Sequence, residues 1–116
     1  MNIEELRTYC LAKDGVTESF PFGPDTLVFK VGEKIFLLTG LDSHPLSFNV
    51  KCDPERAIDL REQYPDSVFP GYHMNKKHWN TIQVNGELTR IQLQELIDFS
   101  YDLVVRSLPR KMRERI

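Results

Sequence analysis

The sequence is short of cysteine, of long apolar runs and of surplus positive charge, and each shortage closes off a class of function. Cys10 and Cys52 are its only cysteines and neither belongs to a Cys-x-x-Cys pair, so neither a structural zinc site nor a redox dithiol is encoded. Both read as small core residues. No apolar stretch approaches the roughly 20 residues that span a bilayer, and Met1-Asn-Ile-Glu-Glu lacks the basic-then-apolar order of a secretory signal. The expectation is a cytoplasmic protein without membrane association. Lys and Arg number 15 against 17 Asp and Glu, a formal net charge of -2, so any surface that meets a polyanion has to be local. The glycines are scattered rather than gathered into a phosphate-cradling loop, and no Gly-x-Ser-x-Gly elbow or local cysteine signature nominates a nucleophile. No reaction is legible, and the expectation is a non-enzymatic protein with no cofactor and no metal.

What is present is material for one core. A chain of 116 residues buries roughly two thirds of the surface it exposes when unfolded, and no repeat or linker divides it. The organisation expected is a single domain over 1–116, monomeric, ending in a short basic tail over 109–116. Asn2 and Glu5 form a capping-box pattern ahead of Ile3, Leu6, Tyr9 and Cys10 at helical spacing, with Gly15 as the stop. Phe20 and Phe22, set among prolines, are expected to tuck under a sheet edge. Residues 26–31 and 34–39 read as strands joined through Gly32-Glu33, a two-residue loop whose leading glycine predicts a type II′ turn. In 46–52, Leu46, Phe48, Val50 and Cys52 alternate with Ser47, Asn49 and Lys51, so the first set faces a core.

Asp53-Pro54 then opens a short helix that Pro65 closes. Asn85-Gly86 marks a turn, and Thr89 with Gln92 caps an amphipathic helix through Leu93, Leu96, Ile97, Ser100, Leu103 and Val104 that stops at Pro109. Strands in the middle and helices toward the ends predict an α+β domain in which helices cover one face of an antiparallel sheet. The other face stays available for binding.

Residues 70–84, PGYHMNKKHWNTIQV, hold the densest chemistry. His73 and His78 stand five apart, a poor spacing for sharing a metal on either a helix or a strand. A strand over 79–84 puts Asn80, Ile82 and Val84 on one face and Trp79, Thr81 and Gln83 on the other, and Ile82 with Val84 should choose the core. Two placements of Trp79 follow: on the wetter face beside a basic loop, or turned inward by a bulge at Asn80 as an ordinary buried anchor. In the first, Lys76, Lys77, His78 and Trp79 are candidate nucleic-acid contacts, with Lys30, Lys34, Lys51 and Arg90 as further cations on or near strands and turns.

The run His73-Met-Asn-Lys-Lys-His-Trp-Asn-Thr-Ile82 resembles the signature segment of the MmcQ/YjbR family of small bacterial proteins. Phe20-Pro-Phe-Gly23, Phe48-Asn-Val-Lys51 ahead of Asp53-Pro54, and Ser100-Tyr-Asp-Leu-Val104 with Leu108-Pro109 extend the likeness over nearly the whole chain. The resemblance implies a double-wing, CyaY-like α+β fold and a DNA-binding role in which Lys76, Lys77, His78 and Trp79 match the motif. A module that docks another protein without nucleic acid is the alternative.

Overall fold

Alternation along the strands decides the architecture. In β4 (Ser47–Lys51) Phe48 and Val50 are buried while Ser47, Asn49 and Lys51 are half-buried, the period of two read from the sequence. The computed structural model describes all 116 residues. It adds β1 (Val16–Ser19), β2 (Thr26–Val31), β3 (Lys34–Gly40), β5 (Val68–Pro70) and β6 (Trp79–Gln83) to form one six-stranded antiparallel sheet, ordered β1-β2-β3-β4-β6-β5. The edge strands β1 and β5 are absent from the sequence expectations. The β2–β3 turn differs too: Gly32 and Glu33 both have positive φ, +56° and +67°, which makes it type I′ rather than the type II′ expected. Gly32 is also required sterically, since a Cβ there would lie 2.5 Å from Leu108 Cδ1.

All three long helices lie on the same side. α1 (Ile3–Leu11) starts at Asn2, whose Oδ1 accepts a hydrogen bond from the Glu5 amide at 2.8 Å, and buries Leu6 and Cys10. α2 (Pro54–Gln63) begins with proline in its first turn, although Asp53 makes no side-chain cap bond, and covers the β5 end of the sheet through Ala57. α3 (Arg90–Ser107) carries the complete capping box, with the Gln92 amide donating to Thr89 Oγ1 at 3.1 Å and the Thr89 amide to Gln92 Oε1 at 2.8 Å. Its stripe Leu93, Leu96, Ile97, Ser100 and Val104 is buried against β2, β3 and β4, while Leu103 is only half-buried. Phe29, Phe36 and Phe48 are fully buried between helices and sheet, each stabilising the fold by about 1.5–3 kcal/mol relative to exposure.

The basic tail folds as well. Residues 110–113 form a short helix, α4 (Arg110–Arg113), Arg110 Nε pairs with Glu114 at 3.1 Å, and Ile116 packs back onto the core. Phe20 and Phe22 depart from expectation in the opposite sense. They do not tuck under the sheet edge but stand 49% and 67% exposed, because residues 20–25 project from the sheet as a loop.

A hydroxyl replaces part of the sheet ladder. β2 and β3 carry a bulge that leaves Phe36 without a partner in β2, and the β3–β4 pairing ends at Leu37 with Val50. At the next position Ser100 of α3 intervenes, donating to the Phe36 carbonyl at 2.5 Å and accepting from the Lys51 amide at 2.8 Å. Ser100→Ala leaves two backbone groups unpaired, so we expect a loss of about 1–3 kcal/mol, seen as a lower denaturation midpoint with unchanged slope. An unaltered midpoint would show that water or the strands themselves satisfy those groups.

Burial also sets the thiols. It pushes Cys10 up to about 12 and raises Cys52, whereas an unfolded thiol titrates at about 8.5. Because the folded value is raised, stability is intact below the unfolded value and declines as pH rises from there toward 12, the unfolded chain ionising first. At about pH 8 a disulfide reagent should therefore modify the folded protein slowly and both thiols promptly after denaturation. Prompt reaction of both in the folded state would contradict this core.

Candidate functional site

The sheet face turned away from the helices has three rows of side chains crossing the strands. Lys30 paired with Ile35, and Lys51 paired with Trp79, form the first, which is interrupted where the β3–β4 pairing stops at Leu37 and Val50. Val28, Leu38, Asn49 and Thr81 form the second. Thr26, Gly40, Ser47 and Gln83 form the third. Lys30 and Lys51 stand on strands separated by β3. No Asp or Glu occupies any of these positions. The single carboxylate in a strand, Glu18 of β1, turns to the helix side, where Arg7 of α1 holds it through two bonds of 2.7 and 2.5 Å. That hydrogen-bonded pairing keeps the Glu18 carboxyl below the usual carboxylate range.

Trp79 opens β6 on this outer face, half-buried and opposite Lys51, while Asn80 is 1% exposed on the core side. The strand keeps the phase expected and has no bulge at Asn80. The approach of Trp79 to the neighbouring loop is tight: a Cβ on Gly71 would meet Trp79 Cβ at 2.8 Å and its carbonyl oxygen at 3.0 Å. Only glycine fits there.

The 71–78 loop is pinned from beneath. Asn75 starts its turn, accepting at its side-chain oxygen from the Lys77 amide at 2.9 Å and at its carbonyl from the Trp79 amide at 3.0 Å. Arg61 of α2 then reaches under it. Its Nε donates to Asn80 Oδ1 at 2.7 Å, its other nitrogen to the Trp79 carbonyl at 3.2 Å and to the Lys76 carbonyl. Asn80 completes the clamp by donating to the Ala57 carbonyl at 3.3 Å. Lys76 and Lys77 are left exposed without a carboxylate partner, and His78 is half-buried with its carbonyl accepting from the Cys52 amide at 2.8 Å.

The candidate cations therefore divide. Lys51, Lys76 and Lys77 gather around His78 and Trp79, and Lys30 lies along the same face. Lys34 and Arg90 do not join them. Lys34 reaches Ser107 at the end of α3, 3.4 Å away, and Arg90 is paired with Glu5 beside α1. Both lie on the helix side. His73 and His78 stay apart in role, and no three His, Cys, Asp or Glu side chains lie close enough together to hold a metal ion.

Beside the basic row the face deepens into a groove of about 600 Å³. Leu38, Asn49 and Thr81 are in its floor, and its walls come from Phe22 of the 20–25 loop and from Tyr72, His73 and Met74 of the 71–78 loop. Tyr72 is fixed by its amide, which donates to Thr81 Oγ1 at 3.1 Å, and its ring lies 4.0 Å from that of His73. His73 holds a left-handed backbone at φ +58°, a conformation His tolerates better than most residues but that still costs energy. Sequence reasoning missed Arg61 and the groove walls. Arg61 carried a signal, a cation one turn after Ala57 on the apolar side of a short helix; Phe22 and Tyr72 carried none, because loop aromatics have no period.

Comparisons with known proteins agree with this fold. A family model described as YjbR matches residues 11–103. Uncharacterised protein YjbR of Escherichia coli K12 is 35% identical over 114 residues, covering 98% of this chain and 96% of that protein. Uncharacterised protein YbdF of Escherichia coli O157:H7 is 40% identical over 97 residues, covering 84% and 79%. Among solved structures, Deinococcus radiodurans protein DR2400 superposes with a TM-score of 0.92 at 39% identity, over 97% of this chain and 86% of that one. A Pseudomonas syringae protein superposes at 0.75 with 28% identity, over 89% and 98%. The α+β fold and the matched family together place this chain in the YjbR family.

Proposed function

We propose that the helix-free sheet face and the 71–78 loop bind DNA, with no catalytic step attached. The observation that carries this reading is charge segregation. In a chain of formal net charge -2, the outward strand positions hold Lys30 and Lys51 and no carboxylate, and Lys76 and Lys77 stand next to them unpaired. Apart from Glu18, which Arg7 holds on the helix side, the acidic residues lie on helices or in turns and loops outside the strands, such as Glu33, Asp25 and Asp42. A local positive field can thus oppose the global one. Lys76 and Lys77 meet phosphates, Lys51 and Lys30 extend the track across the sheet, and Trp79 supplies an apolar contact between them.

A protein partner is the second reading, favoured by the exposed rings of Phe22 and Tyr72 around the same face. Salt separates the two. DNA affinity should fall with salt by about 0.9 logarithmic units per decade for each phosphate neutralised, whereas an apolar protein contact persists.

The direct test is DNA affinity across a salt series for Lys76→Ala with Lys77→Ala. The double variant should bind more weakly, with a salt slope shallower by about 2. Lys34→Ala, on the helix side, should match the parent chain. Unchanged affinity and slope in the double variant would remove the loop from the grip.

A further inference from the structure

We propose that the DNA this face accepts is unpaired: the groove takes the bases of a single strand while the basic row beside it holds the phosphates. This rests on the DNA-binding reading above and adds the form of the nucleic acid.

The groove walls carry the inference. Phe22 is 67% and Tyr72 70% exposed, on two loops at opposite sides of the β3–β4 floor. A duplex keeps its base faces stacked inside and presents edges and phosphates, so it gives a ring in a recess nothing to stack on. A single strand presents those faces, and stacking on protein aromatics is the usual source of its affinity. The recess of about 600 Å³ is concave, and flat bases can enter it where the convex outline of a duplex cannot follow.

The floor suits base edges as well. Leu38 is apolar, and Asn49 has its side-chain oxygen occupied by Thr81 Oγ1 while its Nδ2 makes no hydrogen bond within the protein. The groove lining thus includes a donor without a partner in the protein, together with Ser47, whose hydroxyl donates to Ser43 Oγ at 3.4 Å. The floor row lies two residues along the strands from the row of Lys30, Lys51 and Trp79, about 6.8 Å at some 3.4 Å per residue. Phosphates and bases are thus offered separate, parallel tracks. The left-handed backbone of His73, whose ring contacts Tyr72, fits a rim held in place before the ligand arrives.

The experiment compares fluorescence polarisation for an oligodeoxynucleotide of about a dozen nucleotides, within the roughly 4–16 nucleotides such surfaces cover, with the same sequence annealed to its complement. We expect the single strand to bind more tightly. Phe22→Ala with Tyr72→Ala should weaken single-strand binding about tenfold or more while leaving the salt slope and the thermal midpoint unchanged. Tyr72→Phe, which keeps the ring, should bind like the parent. A duplex that binds as well as the strand, or alanine variants that bind the strand normally, would overturn the inference and leave DNA binding standing. Failure of both forms to bind would instead remove the DNA-binding reading itself.

Discussion

One-sided packing governs this molecule. Because α1, α2 and α3 all settle on the same face of the sheet, each strand divides its residues between a dry side and an open one. The dry side is filled by Phe29, Phe36, Phe48, Ile82 and the stripe of α3. The other side is free of that demand except at Val28, which is fully buried, and it is where Lys30, Asn49, Lys51, Trp79 and Thr81 collect. No carboxylate stands on the open side of a strand. A chain with more acidic than basic residues can therefore show a cationic face, since each strand sorts charge with the same period that sorts hydrophobicity.

The open face is rigid where it matters. Arg61 ties the carbonyls of Lys76 and Trp79 to Asn80, a polar side chain at a core position whose amide is in turn satisfied by Ala57. A buried polar network of this kind is stable only when every member is paired, and its members come from α2, β6 and the 71–78 loop together. The exposed side chains of Lys76 and Lys77 project from a backbone held by these bonds, so less ordering has to be supplied there when they meet an anion. Gly71 contributes by absence, letting the loop lie against Trp79.

Much of this was legible in the residues, and what was not has physical reasons. Strands of five to seven residues rich in β-branched and aromatic residues could be read as β2, β3, β4 and β6, and alternation set the phase of β4 and β6, but it left Trp79 between an outward and an inward placement because a bulge leaves no mark in the sequence. The strands β1 and β5 have four and three residues and are too short for a period to register. Phe22 was assigned inward on hydrophobicity alone, but a loop bounded by prolines has no face to choose. Period two also cannot reveal which side of the sheet a cation at a strand end reaches: Lys34 and Lys51 look equivalent in sequence, yet one reaches toward the end of α3 and the other stands opposite Trp79. Arg90 was lost to Glu5, a residue on another helix altogether.

The central claim is that the sheet face opposite the helices is the binding surface. A nitrogen–proton NMR titration with DNA tests it at every amide at once. The account predicts shifts at Lys30, Asn49, Lys51, Tyr72, Lys77 and Thr81, with α1 and α3 silent. Shifts clustered on the helices, or none anywhere at saturating DNA, would contradict it.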